Sequence, residues 1–348
     1  MRIFENKNLT VVPLTELLLL CSNTNLSGPI PSSTSNLKSL KRLGIAAAGD
    51  FQQELPSSIG ELRSLTSLQL SGSGIVGKVP SWVAYLTSLE TLQFSNCGLS
   101  GQMPSFIGNL KNLSTLNCMH AIFLVSYNLF EGLIPIPGPQ TQLFDCSNNR
   151  LSSMPSNFET SCPEKFHHRF ENSLVLLDLS NNDFLGSIPS CLMEDMSDHL
   201  NKQAVRRKFH HRFVKSLVLL DLSNNDFLGS IPSCLMEDMS DDLNVLNLKG
   251  NQLHGRLPNS IKQDCAFGAL DFSDNRIEGQ LPGSLVACND LEAFDIRNNR
   301  IDDTFPCWMS MLPILQVLVL KSDKFVGNVG PSVSRDENSC EFMKPRIF

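Results

Sequence analysis

Aromatic side chains are scarce in this chain: they make up 7% of it, and tyrosine and tryptophan occur twice each. A core built around large rings is excluded, so leucine must carry the burial. A basic excess is also missing, because 28 lysines and arginines face 35 aspartates and glutamates, for a net charge of −7. That balance excludes a general nucleic-acid binder, which needs a positive face. No apolar run approaches the roughly 18 to 20 residues that cross a bilayer. The run Leu17 to Leu20 is too short, and the opening MRIFENKNLTVVP carries charges where a secretory signal needs unbroken apolar residues.

The signatures of catalysis and of metal or cofactor binding are missing as well. Eleven cysteines form no CxxC pair, so zinc is not expected. No GxSxG elbow and no kinase HRD or DFG set occurs, and neither an enzyme nor a cofactor is expected. Gly72 to Lys78 (GSGIVGK) matches GxGxxG and nearly matches a phosphate loop. However, Val79 stands where a magnesium-binding hydroxyl is required and Pro80 stands where a helix should open. The pairs His167, His168 and His210, His211 lack a carboxylate or thiol at ligand spacing, and Arg206 to Lys208 reads as a solvated charge run.

Self-similarity is what the sequence does contain. The template LxxLxLxxNxLxGxIP recurs with copies starting at Leu65, Leu89, Leu174, Leu217, Leu243, Phe267, Leu291 and Leu315. Asn251, Asn275, Asn299 and Asp323 follow one another at intervals of 24 residues. One such unit cannot bury its own apolar side and needs neighbours above and below. Leu246 with Leu248, Leu270 with Phe272, and Phe294 with Ile296 are spaced two apart, so each pair points inward from a short strand. The asparagine that follows can satisfy backbone groups in the turn. Gly186, Gly229, Gly255 and Gly279 mark a conformation that side chains resist, and the proline after each ends pairing and turns the chain outward. The fold class expected is an α/β repeat solenoid, with a curved parallel sheet on the concave face and 3-10 turns, coil and short helices on the convex face.

The LxGxIP pattern, with LVLLDLSNNDFLGSIPSCLM, LNLKGNQLHGRLP and ALDFSDNRIEGQLPGSLVACNDLEAFDIRNNRIDDTFPCW, resembles plant leucine-rich-repeat receptor-like proteins of the disease-resistance type. The resemblance covers roughly residues 14 to 348. It implies an ectodomain that perceives extracellular ligands at the plasma membrane, lacks a kinase and signals through an adaptor receptor kinase. A soluble extracellular inhibitor of a pathogen polygalacturonase-like enzyme and a non-functional gene product are the alternatives.

The expected organisation is a leader (1–13), a block of degenerate repeats (14–155), a linker (156–172), one repeat (173–198), a second linker (199–215) and a final block (216–348) stopping mid-repeat. Ala46 and Gly49 fall where leucine and asparagine are expected, and LSTLNC and AIFLVSYN read as two half repeats run together. Lys165 to Asn201 recurs as Lys208 to Asn244 with three differences, an offset of 43 that is not a multiple of 24. This reads as a recent duplication whose flank, Asn201 to Lys215, bulges from the solenoid. The solenoid is expected to be continuous only from about Leu217.

Residues between the inward pairs project from the concave side. They form a column of Gln69, Gln93, Asp178, Asp221, Asn247, Asp271, Asp295 and Val319, beside a second column of Lys249, Ser273, Arg297 and Lys321. Asn247, Lys249, Asp271, Asp295, Arg297 and Lys321 are the candidate contacts for a peptide, protein or oligosaccharide ligand. Asn8, Asn25 and Asn112 head N-x-S/T sequons and are glycan candidates. Cys265 and Cys288 share nearly the same phase of adjacent repeats, which leaves open a disulfide on the outer face or two reduced thiols.

Overall fold

The computed structural model describes residues 16–21, 30–47, 54–72, 74–110, 113, 122–134, 141–153, 174–189, 217–237, 242–263 and 265–327. Described residues up to Ser153, with Leu174, form one compact unit, and those from Val175 onward form a second.

Each unit is a stack of parallel strands taken in chain order. In the first, Glu16–Cys21, Arg42–Ala47, Ser67–Ser71, Thr91–Ser95, Ile122–Leu124 and Leu143–Asp145 pair in succession. In the second the order is Leu176–Asp178, Leu219–Asp221, Val245–Asn247, Ala269–Asp271, Ala293–Asp295 and Val317–Val319. Stacking in this order lets each turn bury its apolar pair against the next. Leu246, Leu248, Leu270, Phe272, Phe294 and Ile296 are all buried. This is a parallel β-solenoid with few helices.

The asparagines hold the turns. Asn251 Nδ2 donates to the carbonyls of Leu222, Leu248 and Lys249, while its Oδ1 accepts the Phe227 amide of the preceding repeat at 3.1 Å. Asn225, Asn275 and Asn299 repeat the pattern. One carboxamide thus satisfies buried backbone groups of two turns that would otherwise each be costly. The residue just before this asparagine is left-handed: φ is 51° at Asn224, 66° at Gly250, 58° at Asp274, 57° at Asn298 and 66° at Ser322.

After the asparagine the chain pairs again, which the repeat template did not anticipate. A second parallel sheet runs through Asp226–Gly229, Gln252–Gly255, Arg276–Gly279, Arg300–Thr304 and Lys324–Val326. The first unit has the same arrangement in Val76–Gly77, Gly98–Gln102, Leu129–Leu133 and Arg150–Ser153. The physical reason is that Phe227, Leu253, Ile277 and Ile301 point inward, and an extended backbone places them there while bonding to the turns on either side. Proline then ends the pairing. Pro31, Pro56, Pro80, Pro104, Pro282 and Pro306 each open a short 3-10 helix on the outer side, having a preset φ and no amide to satisfy. Pro232 precedes the single described α-helix, Ser233–Glu237.

Two sequence expectations need correction. Ala46 is not at an inward position: Leu43 and Ile45 are, paired with Leu68 and Leu70, so alternation in the strand absorbs the slip. The duplicated copies stack directly, with Leu176, Leu177 and Asp178 beside Leu219, Leu220 and Asp221. Continuity in the second unit therefore starts at Leu176 rather than near Leu217, because pairing needs matching strands and tolerates any length of chain between them. Of the fused half repeats, AIFLVSYN supplies strand Ile122–Leu124 and its asparagine, Asn128, while most of LSTLNC lies outside the described residues. Asn201 to Lys215, both histidine pairs, Arg206 to Lys208, the chain end FMKPRIF and the three sequon asparagines also lie outside them.

Candidate functional site

The open face of the main sheet in the second unit carries the candidate residues. Each strand there reads half-buried, buried, half-buried, so the residue after the buried leucine or phenylalanine faces outward at its edge. Asp271 and Asp295 each give one oxygen to the backbone two residues on, accepting from Ser273 at 2.9 Å and Arg297 at 3.1 Å. Asn247 does the same for Lys249 at 3.1 Å, and its Nδ2 donates to Asp221 Oδ2 at 2.9 Å. The acidic column is therefore a row of side chains that cap their own strand ends and keep a second oxygen available.

Two carboxylates, one of the column and one of the turn, organise the cations. Asp295 Oδ2 lies 3.3 Å from Arg297 Nε, and Lys249 Nζ lies 3.9 Å from Asp274 Oδ2. Burial is the main cause holding the Asp295 carboxyl above the ordinary aspartate range, and Asp271 adds to it; the Arg297 amide and the charges of Arg297 and Lys249 pull the other way. Lys321 is exposed, with no carboxylate at ion-pair distance among the described residues.

Ser273 corrects the second column: it is fully buried, and its hydroxyl has no partner among the described residues. A small side chain at this phase folds under the turn, where Lys249 and Arg297 are too long to follow. Two residues at the left-handed position enter the network unforeseen. Asp274 receives Lys249, and Asn298 Nδ2 donates to Asp274 Oδ1 at 2.6 Å. The recurrence of Asn, Asp or Gly just before the repeat asparagine was the available signal. A shallow depression lined by Asn244, Gly268, Asp290, Glu292 and Ile314 was missed as well. A Cβ on Gly268 would come within 2.8 Å of Asn244 Nδ2, which lies across it and donates to the Ala266 carbonyl at 2.9 Å.

On the outer side a disulfide joins Cys265 to Cys288, with Cα atoms 4.6 Å apart, and both residues are buried. Cys307 is also disulfide-bonded. The Gly72 to Lys78 segment makes strand Val76–Gly77 between buried Ile75 and Val79, as a repeat does. No group of three potential metal ligands occurs among the described residues. No described helix is long and apolar enough to cross a membrane.

Family models agree with this architecture. Residues 33–133 match a leucine-rich repeat region, and residues 173–194, 216–237 and 242–263 match single leucine-rich repeats. The chain carries leucine-rich repeats, and its sequence is similar to plant receptor-like proteins. It is 31% identical over 224 residues to receptor-like protein 54 of Arabidopsis thaliana, covering 64% of this chain and 21% of that protein. It is also 31% identical over 172 residues to receptor-like protein 41 of the same plant, covering 49% and 15%. The matches thus span about a fifth or less of these relatives. The crystal structure of PEPR1–AtPEP1 superposes with a TM-score of 0.62 at 25% identity, over 86% of this chain and 40% of that one.

Proposed function

We propose that the open face of the second unit binds an extracellular peptide, and that the chain acts as the recognition part of a plant receptor-like protein in defence signalling. On this reading it stands outside the plasma membrane and passes its signal to an adaptor receptor kinase. The observation that carries the reading is the arrangement of Lys249, Arg297 and Lys321 on neighbouring turns, two of them held by Asp274 and Asp295 and the third exposed. Fixed cations on either side of Asp271 suit a ligand carrying both charges, since each carboxylate of a peptide can share a cation already in place. Strands about 4.8 Å apart put Lys249 and Lys321 roughly 14 Å from each other, the reach of about four extended residues. The likeness to PEPR1–AtPEP1 supports a peptide as the ligand class.

The test is Lys249→Glu, Arg297→Glu and Lys321→Glu together, in the chain displayed on plant cells and exposed to a synthetic library of mixed-charge peptides. Captured peptides are expected to lose affinity by at least about tenfold, since three favourable charge contacts become repulsive. Unchanged capture by the folded triple variant contradicts the reading.

A further inference from the structure

Among the described residues, the last place of the second unit's asparagine ladder is taken by a different residue. Asn299 accepts the Ile277 amide on Oδ1 at 2.9 Å and donates through Nδ2 to the carbonyls of Phe272, Ile296 and Arg297 at 2.9, 2.7 and 3.2 Å. Asp323 occupies the same place one repeat later, and its Oδ1 accepts the Ile301 amide at 3.0 Å. Its Oδ2 stands where the donating amide of an asparagine would be, buried and without a hydrogen-bond partner among the described residues. The repeat-equivalent carbonyls are those of Ile296, Leu320 and Lys321. An ionised carboxylate has only acceptors to offer them, whereas a protonated one has a donor.

We propose that Asp323 is a proton-gated latch: protonated on Oδ2, it closes the turn between the last two described repeats as an asparagine does, and ionised, it opposes that closure. The proton comes from solvent and returns to it. The charged groups on the elements packed around it are Asp295, Arg297 and Arg300, then Asp302 and Asp303 on the neighbouring strand, with Lys321 and Lys324 on its own loop. Of these, Asp295 acts on its carboxyl, and repulsively. Burial is the larger influence, and together they raise the group to about 6 against the lowering effect of the Ile301 and Asn299 amides.

The native chain therefore takes up a proton that the unfolded chain does not, in the window between the ordinary aspartate value of about 3.9 and about 6. The contribution of the latch is whole below that window and is lost as pH rises through 6. Lys321 lies two residues before Asp323 and its carbonyl accepts the Asn298 amide at 2.9 Å, so the same proton helps to fix a cation of the open face.

The test is amide hydrogen exchange at Ile301 in the full chain, compared at each pH with Asp323→Asn so that intrinsic exchange chemistry cancels. The two are expected to exchange at equal rates near pH 4.5, and the unaltered chain at least about tenfold faster at pH 7.5. Asp295→Asn should move the onset of the difference to lower pH. A ratio that stays constant with pH, or an unaltered chain that is the slower at pH 7.5, overturns the latch. Should Asp323→Asn fail to fold, carboxyl NMR of the unaltered chain decides instead: a midpoint above 5 supports the latch and one below 4 refutes it.

Discussion

Asn275 reaches back across one turn of the solenoid to Leu253, accepting its amide on Oδ1 at 3.1 Å while Nδ2 donates to the carbonyls of Leu248, Phe272 and Ser273. Both ends of one buried carboxamide are thus committed to backbone, and the carbonyls it donates to are shared with Asn251, Asn299 and the Gly250 amide. Asn275→Ala should lower stability by about 3 kcal/mol or more, because several buried groups lose their bonds at once. Urea unfolding of the full chain measures this. A loss below 1 kcal/mol would show that water replaces the amide.

The left-handed position before each asparagine is filled by Asn, Asp or Gly in most turns of the second unit, but by Ser322 in the last described one, at φ 66°. Serine gains little there and pays the Cβ clash that glycine avoids. Ser322→Gly should stabilise the chain by about 0.5 to 1 kcal/mol despite adding freedom to the unfolded state. A thermal melt that moves down instead would refute the strain argument.

Cys265 and Cys288 are 23 residues apart and close one turn of the solenoid. Cross-linking a loop of that length removes unfolded-state freedom worth about 3 kcal/mol. Replacing both cysteines with alanine should lower the urea midpoint accordingly, with the fold kept. Reduction of the unaltered chain, which also opens the disulfide at Cys307, should lower the midpoint at least as far, and a smaller shift would mean that packing rather than the cross-link is at work.

Cys97 is buried with its thiol directed at the Leu70 and Ser95 carbonyls, and burial pushes it up to about 12. At pH 8 the thiolate fraction is then on the order of one in ten thousand. Mass spectrometry should find Cys97 unmodified after treatment of the native chain with iodoacetamide and fully modified in urea. Rapid native labelling would mean that the first unit opens locally.

The inward pairs, the ladder asparagines and the glycines at φ 86°, 90°, 81° and 86° were legible because a single repeat states each of them by spacing alone. The second sheet was not, since its pairing depends on what the turns above and below offer to a stretch with no strand-like composition. Ser273 was misplaced for a related reason: whether a residue at the turn lies over it or under it depends on side-chain length. Ala46 was misjudged because alignment to a template counts residues, whereas a strand keeps alternation. Asp323 was visible as a departure from asparagine, but its meaning needed the partnerless Oδ2.

The claim at the centre of this account is that the open face of the second unit holds a peptide. Photo-crosslinking tests it directly, with a benzophenone side chain placed at Asp271 on that face or at exposed Met311 on the outer side, and mixed-charge peptides as the probe. The account predicts peptide adducts at position 271 that vanish when Lys249, Arg297 and Lys321 are changed to glutamate, and none at 311. Equal adducts at both positions, or adducts at 311 alone, would contradict it.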